Sequence, residues 1–227
     1  MAIYERVKFG DIDSLNDLGL TLNTVDIQPP TVKTNYVNLP SGGGVLDFTE
    51  QFGEVFYANR IITFHFHWLQ TDLSGVDVLQ KTSEVIGKLH GQRFDMVIGE
   101  DWTYLIRGRV SVATAHIGRF LEITVTADCE PYFEKSETSV HQQELTEGES
   151  VDFVINNEGD KNVPLTVTFN DSFSMELEAI GARIVIAGTE GMSYTIRQFR
   201  LKEGANHFTA VGDPSGTVVF KWQEGVL

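Results

Sequence analysis

His65 and His67 stand two apart in the run RIITFHFHWL, residues 60–69. Side chains alternate faces along a strand, so both imidazoles point the same way. That is the arrangement a metal would need, and it raises the question of an enzyme. Ile62, Phe64, Phe66 and Trp68 share the opposite face, which is strongly apolar. A metal also needs a third and usually a fourth ligand. A cupin-like barrel would place a Glu four or five residues after the His-x-His, where this chain has Thr71 and Asp72, and then a Gly where Leu79 stands. A metallo-β-lactamase would place Asp and His closely after the pair, and HFHWLQTD lacks them. His90, His116, His141 and His207 are scattered without ligand spacing. The expected reading is therefore no metal and no cofactor, with the histidine face half-exposed or lying against a neighbour.

Other chemistries fare no better. No Gly-x-Ser-x-Gly elbow offers a serine nucleophile. The carboxylates Glu100 and Asp101 sit in a predicted hairpin turn, as do Asn156, Asn157 and Asp160, where solvated turns are the simpler reading. Gly42-Gly43-Gly44 lacks the Lys-Ser/Thr and helix start of a phosphate-binding loop; Val45-Leu46-Asp47 follows instead. Cys129, the only cysteine, falls on the apolar side of the alternating stretch LEITVTADC and is expected to be an inert core thiol. The residue chemistry thus points away from catalysis.

The elements around these residues define a mainly β chain. Its 227 residues carry a formal net charge of −15, and the acidic excess is spread over both halves. Sequence-specific nucleic-acid binding is disfavoured, because phosphates must be met by clustered Lys and Arg. No segment has the length of a signal peptide or a membrane span, so a soluble protein outside the usual export route is expected. Residues 3–9 and 55–69 read as strands, separated by turn signals and a Pro- and Gly-bearing extended segment. In SGVDVLQKTSEVIGKLHG the period changes: Leu79, Ser83, Ile86 and Leu89 or His90 recur at helical spacing, with Gly91 at the C-terminal cap. Strands resume in RFDMVI, WTYLIRGRVSVAT and RFLEITVTADCEPYF. The pattern loosens near residues 133–140, which suggests a domain boundary there. Beyond it, seven short strand patterns with turn signals, from SVDFVIN to TVVFKW, predict a β-sandwich. The expected domains are 1–133, α+β with one helix, and 134–227, all β.

The ordered set of motifs carries a resemblance. DLGLTL is followed by PPTVKTNYVNLPSGGGVLDFTE, YANRIITFHF, KLHGQRFDMVIGEDWTYLIRGRV, DCEPYF and a terminal LKEGANHFTAVGDPSGTVVFKW. In that order they resemble the distal tail proteins of long, non-contractile tailed bacteriophages, across almost the whole chain. Pro40-Ser41 departs from the Pro-Gly often found before the glycine turn in that family. The resemblance implies an N-terminal belt domain closing into a hexameric ring, with a galectin-like β-sandwich outside it. It implies a structural virion protein at the tail tip or baseplate, made in the host cytoplasm, with DNA passing through the ring. It implies no catalysis and no cofactor. The implied partners are other copies of the chain, the tail tube protein, a tail-associated or tail-fibre hub protein and a receptor-binding protein. An element apolar on one face and mixed on the other suits packing between its own core and a neighbour. The candidate ring interface is accordingly Thr63, His65 and His67 on the strand, with Lys81, Glu84 and Lys88 on the helix. The rival reading is a carbohydrate-binding or adhesin module. The galectin motif His-x-Asn-x-Arg is absent, however, and Trp222 lacks its Trp-x-x-Glu-x-Arg company.

Overall fold

The computed structural model describes residues 5–39, 43–51, 53–69, 74–99, 103–117, 120–179 and 181–227, without the side chains of Ile117 and Phe120. Thr71, Asp72, Glu100 and Asp101, and the turn residues Pro40, Ser41 and Gly42, lie outside the described residues. Packing divides the chain into two compact units, Met1–Phe133 with Leu227, and Glu134–Val226.

The first unit is organised by the apolar face of one strand. Ile62, Phe64 and Phe66 of β6 (Arg60–Leu69) are fully buried, as alternation requires. β6 lies between β3 (Thr21–Ile27) and β9 (Phe120–Cys129). The sheet continues through β8 (Tyr104–Ile117), β7 (Arg93–Ile98), β1 (Val7–Phe9) and β2 (Ile12–Asp13), in the order β2-β1-β7-β8-β9-β6-β3. The helix α1 (Gly75–Leu89) packs onto the core through Val85 and Leu89, with Val78 partly buried. Its start is fixed by a capping box: the Ser74 hydroxyl accepts from the Asp77 N–H at 3.3 Å, and the Asp77 carboxylate accepts from the Ser74 N–H at 3.0 Å. Gly91 turns the chain away at φ +76°, a conformation that favours glycine.

Between β3 and β6 the chain leaves the sheet as a ribbon. Ala58 N–H donates to Thr31 O and Lys33 N–H to Phe56 O, and β4 (Tyr36–Asn38) then pairs antiparallel with β5 (Val45–Asp47). This two-stranded arm is a sheet of its own.

The second unit is a sandwich of two four-stranded sheets around one core. One sheet orders β11 (Ser139–Leu145), β18 (Gly216–Trp222), β13 (Val163–Phe169) and β16 (Ser193–Leu201). The other orders β12 (Ser150–Asn157), β17 (Gly204–Asp213), β14 (Phe173–Ala179) and β15 (Ala182–Gly188). Phe153, Phe208 and Phe220 interleave at its centre with ring centroids 5.2–6.5 Å apart. Where β10 (Phe133–Lys135) meets β19 (Gly225–Val226), Lys135 N–H donates to Glu224 O.

Three sequence expectations need correction. Thr21 and Leu22, which carry turn signals in the sequence, open strand β3, and the strand runs on to Ile27 because its partner β6 supplies the ladder. Residues 55–59 are not part of β6; among them Tyr57 makes only an isolated bridge to Val32. SVHQQEL, which reads as polar linker, is the edge strand β11, with Leu145 as its one fully buried side chain.

Candidate assembly surface

The outer face of the first sheet carries the histidines. The register aligns rows across three strands: Thr63 with Thr126 and Ser111, His65 with Thr124 and Ala113, His67 with Glu122 and Ala115. His65 Nδ1 lies 3.5 Å from Thr124 Oγ1 and 3.8 Å from Glu122 Oε1, and both the His65 and Glu122 side chains are about one-third exposed. The face is hydroxyl-bearing, and its β6 residues Thr63, His65 and His67 are half-buried. Among the described residues no three or more His, Cys, Asp or Glu side chains gather as metal ligands. The structure thus brings Thr63, His65 and His67 together on one surface.

The helix residues sit elsewhere, on the polar side of α1. Glu84 accepts from Lys81 and from Lys88, each at 2.8 Å. The Lys81 hydrogen bond, then that of Lys88, holds the Glu84 carboxyl below its ordinary range. Lys81 is not the open cation that the sequence suggests. Its side chain is 12% exposed, and its ammonium lies 5.7 Å from the centre of the Trp68 ring. The expected apolar face of the helix also needs correction. Val78, Val85 and Leu89 turn inward, while Val76, Leu79 and Ile86 are 62%, 68% and 38% exposed. Val76, Leu79, Ser83 and Ile86 recur at steps of three and four, so they form one stripe along the helix beside its buried face.

Six apolar side chains of the arm, Tyr36, Val37, Leu39, Val45, Leu46 and Phe48, are exposed, a surface that sequence reasoning did not single out. Residues directly opposite in a hairpin share a face, and Val37 pairs with Leu46. The ladder extends through Leu39 N–H to Gly44 O and Phe48 N–H to Asn35 O. Val37, Leu39, Leu46 and Phe48 therefore line one face, and Tyr36, Asn38, Val45 and Asp47 the other. All four side chains of the first face are exposed, and none belongs to either hydrophobic core among the described residues. An isolated two-stranded hairpin is only marginally stable in water. A signal was available in the sequence: two alternating runs around a glycine turn with no third strand nearby.

The remaining candidates are occupied by structure. Cys129 is fully buried, and burial, then the neighbouring Asp128 charge, pushes its thiol up to about 12. Trp222 is buried and its indole N–H donates to Glu224 at 3.1 Å, so it presents no platform for a sugar ring. A cleft of about 450 Å³ on the sandwich is lined by Glu147, Ser174, Glu176 and Asp213 among others, with no aromatic side chain. Among the described residues no helix is long and apolar enough to cross a membrane.

No family model matches the sequence, and no curated protein matches it. Among solved structures, the chain is similar to the SPP1 Dit (gp 19.1) protein, described as a paradigm of the hub adsorption apparatus in phages infecting Gram-positive bacteria. The two are 13% identical with a TM-score of 0.67, over 98% of this chain and 99% of that one. At this identity the likeness is one of fold.

Proposed function

We propose that the chain is a structural virion protein: the hub subunit of a phage tail tip or baseplate. Six copies close into a ring through the first unit, which acts as a belt. The galectin-like sandwich stands outside the ring. The ring joins the tail tube to the tip and to host-recognition proteins, and DNA passes through its centre.

The observation that carries this reading is the apolar face of the arm, Val37, Leu39, Leu46 and Phe48, left exposed by its own chain. Such a surface marks a protein–protein contact. The hydroxyl- and histidine-bearing sheet face around Thr63, His65 and His67, half-buried in the chain alone, is a second candidate surface. Head-to-tail contact between unlike patches generates a ring whenever the rotation closes. Full-length likeness in fold to a hub protein supports the same assignment. The net charge of −15 favours a channel wall that repels DNA phosphates rather than holding them. A structure of the assembly with a channel wall rich in Lys and Arg would contradict that last point.

The test is negative-stain imaging and sedimentation of the full chain, alone and mixed with tail proteins. Six-fold rings are the expected result. Monomers only, in both conditions, would count against a hub.

A further inference from the structure

We propose that the free edge of β15 in the sandwich is a docking strand. Its occupant is an extended segment of a partner protein, apolar on one face and basic on the other, which adds to β15 as one more strand of the sheet.

The edge is open. β15 is the outermost strand of its sheet and pairs with β14 alone. Ala179 pairs with Ala182 across a two-residue connection, and the ladder alternates from there. Arg183, Val185 and Ala187 therefore turn their backbone N–H and C=O groups to the free edge. Among the described residues no hydrogen bond meets those groups. A row of this kind is a template for a strand from another chain.

The edge is also unprotected. Sheet edges are commonly blunted by charge, proline or a bulge. β16 carries Arg197 and Arg200, and its register against β13 shifts. β11 carries Glu144 and β12 carries Asp152. β15 reads ARIVIAG, with every residue in unbroken register against β14. Its one charge, Arg183, is held by Glu176 of β14. Val185, at its centre, is 72% exposed.

The two faces of the sheet state the chemistry of the occupant. Side chains of an added strand alternate between them. One set falls beside Ile184 and Ile186, which are only partly buried against the sandwich core, and apolar residues there complete their cover. The other set falls on the outer face. On that face the register aligns Arg183 with Glu178, Val185 with Glu176 and Val211, and Ala187 with Ser174 and Asp213. The cleft of about 450 Å³ lined by Val185, Ser174, Glu147, Glu176 and Asp213 opens there. Among the described residues no cation pairs with the Glu147 or Asp213 carboxylate. Ala187 and Ser174 are small, so a basic side chain opposite Ala187 extends over both toward Asp213. Complementary charge of this sort selects the partner and its register.

The test uses the full-length protein and a capped peptide, Val-Arg-Val-Thr-Val-Arg-Val, read by hydrogen exchange and by anisotropy of a labelled copy. Saturating peptide should slow amide exchange across residues 182–188 roughly tenfold, as a new ladder requires. The same peptide with Glu for both Arg should bind roughly tenfold more weakly. Val185→Pro removes an outward N–H and leaves the ladder to β14 intact, so thermal unfolding should hold while binding falls roughly tenfold. Val185→Lys keeps every backbone group and sets a like charge against the peptide, so it should weaken binding even if the proline variant is destabilised. No slowing at residues 182–188 would overturn the proposal. So would protection confined to another edge, such as β12 or the β4–β5 arm. Binding to both Val185 variants at wild-type strength would overturn it as well.

Discussion

Cys129 shows how environment decides the fate of a reactive side chain. It is fully buried at the end of β9, and its thiol is held at about 12 chiefly by burial. Reagents that need the thiolate should leave the folded protein unmodified at pH 8 and label it fully in denaturant. Rapid labelling of the folded chain would contradict the core assignment. The sign of the pH effect follows. In the unfolded chain the thiol ionises near its ordinary value, about 8.5, while the folded chain keeps its proton. The contribution to stability is therefore present below that value and is lost as pH rises toward the folded value. His65 and His67 present the opposite case, two imidazoles on one face about which no cluster of three or more His, Cys, Asp or Glu side chains gathers as metal ligands among the described residues. Elemental analysis of untagged protein should find no stoichiometric zinc, iron or manganese. Near-unit occupancy that disappears in a His65→Ala/His67→Ala double variant would reopen metal chemistry. At this scale the alternation of RIITFHFHWL identified Ile62, Phe64 and Phe66 as buried, but not Arg60, a charged residue that is also buried, and Trp68 is only partly buried. Lys81 was not legible, because its cover comes from Trp68, which the sequence places thirteen positions away.

The elements differ in how much of their placement is local. The seven sandwich strand patterns beyond residue 150 are visible as period-two runs, because each buries one face in the core. β3 and β11 were missed, since an edge strand draws its order from a neighbour rather than from its own polar residues. The helix was legible as a helix and misleading as a face. Its six apolar positions, Val76, Val78, Leu79, Val85, Ile86 and Leu89, exceed what one buried stripe holds. The excess, Val76, Leu79 and Ile86, stays exposed, and pattern alone does not separate it from the buried stripe. The arm is the element that the proposed assembly depends on most. Replacing residues 35–48 by a short Gly-Ser linker should leave the first unit folded, since the arm contributes nothing to its core. The same change should abolish rings. Thermal unfolding and sedimentation on one preparation check both halves of that expectation. Loss of cooperative unfolding, or rings that persist without the arm, would contradict it.

At the scale of the whole molecule, the two units have separate cores built from separate stretches of chain. We propose that they act as separate domains, the first forming the belt and the second a peripheral sandwich. A chain of residues 134–227 should then fold alone as a monomer with an all-β circular dichroism spectrum. A chain ending near residue 135 should keep the oligomer of the full protein. Loss of the oligomer on removing the sandwich would instead place the sandwich in the ring wall. The central claim is that unlike surfaces on one chain, the arm and the faces it meets, close six copies into a ring. The most direct measurement is the native mass of the full-length protein across a concentration series, followed by imaging of the largest species. A discrete species of six chains with a central opening is expected. A chain that stays monomeric to the highest concentration, alone and with tail proteins added, would contradict it.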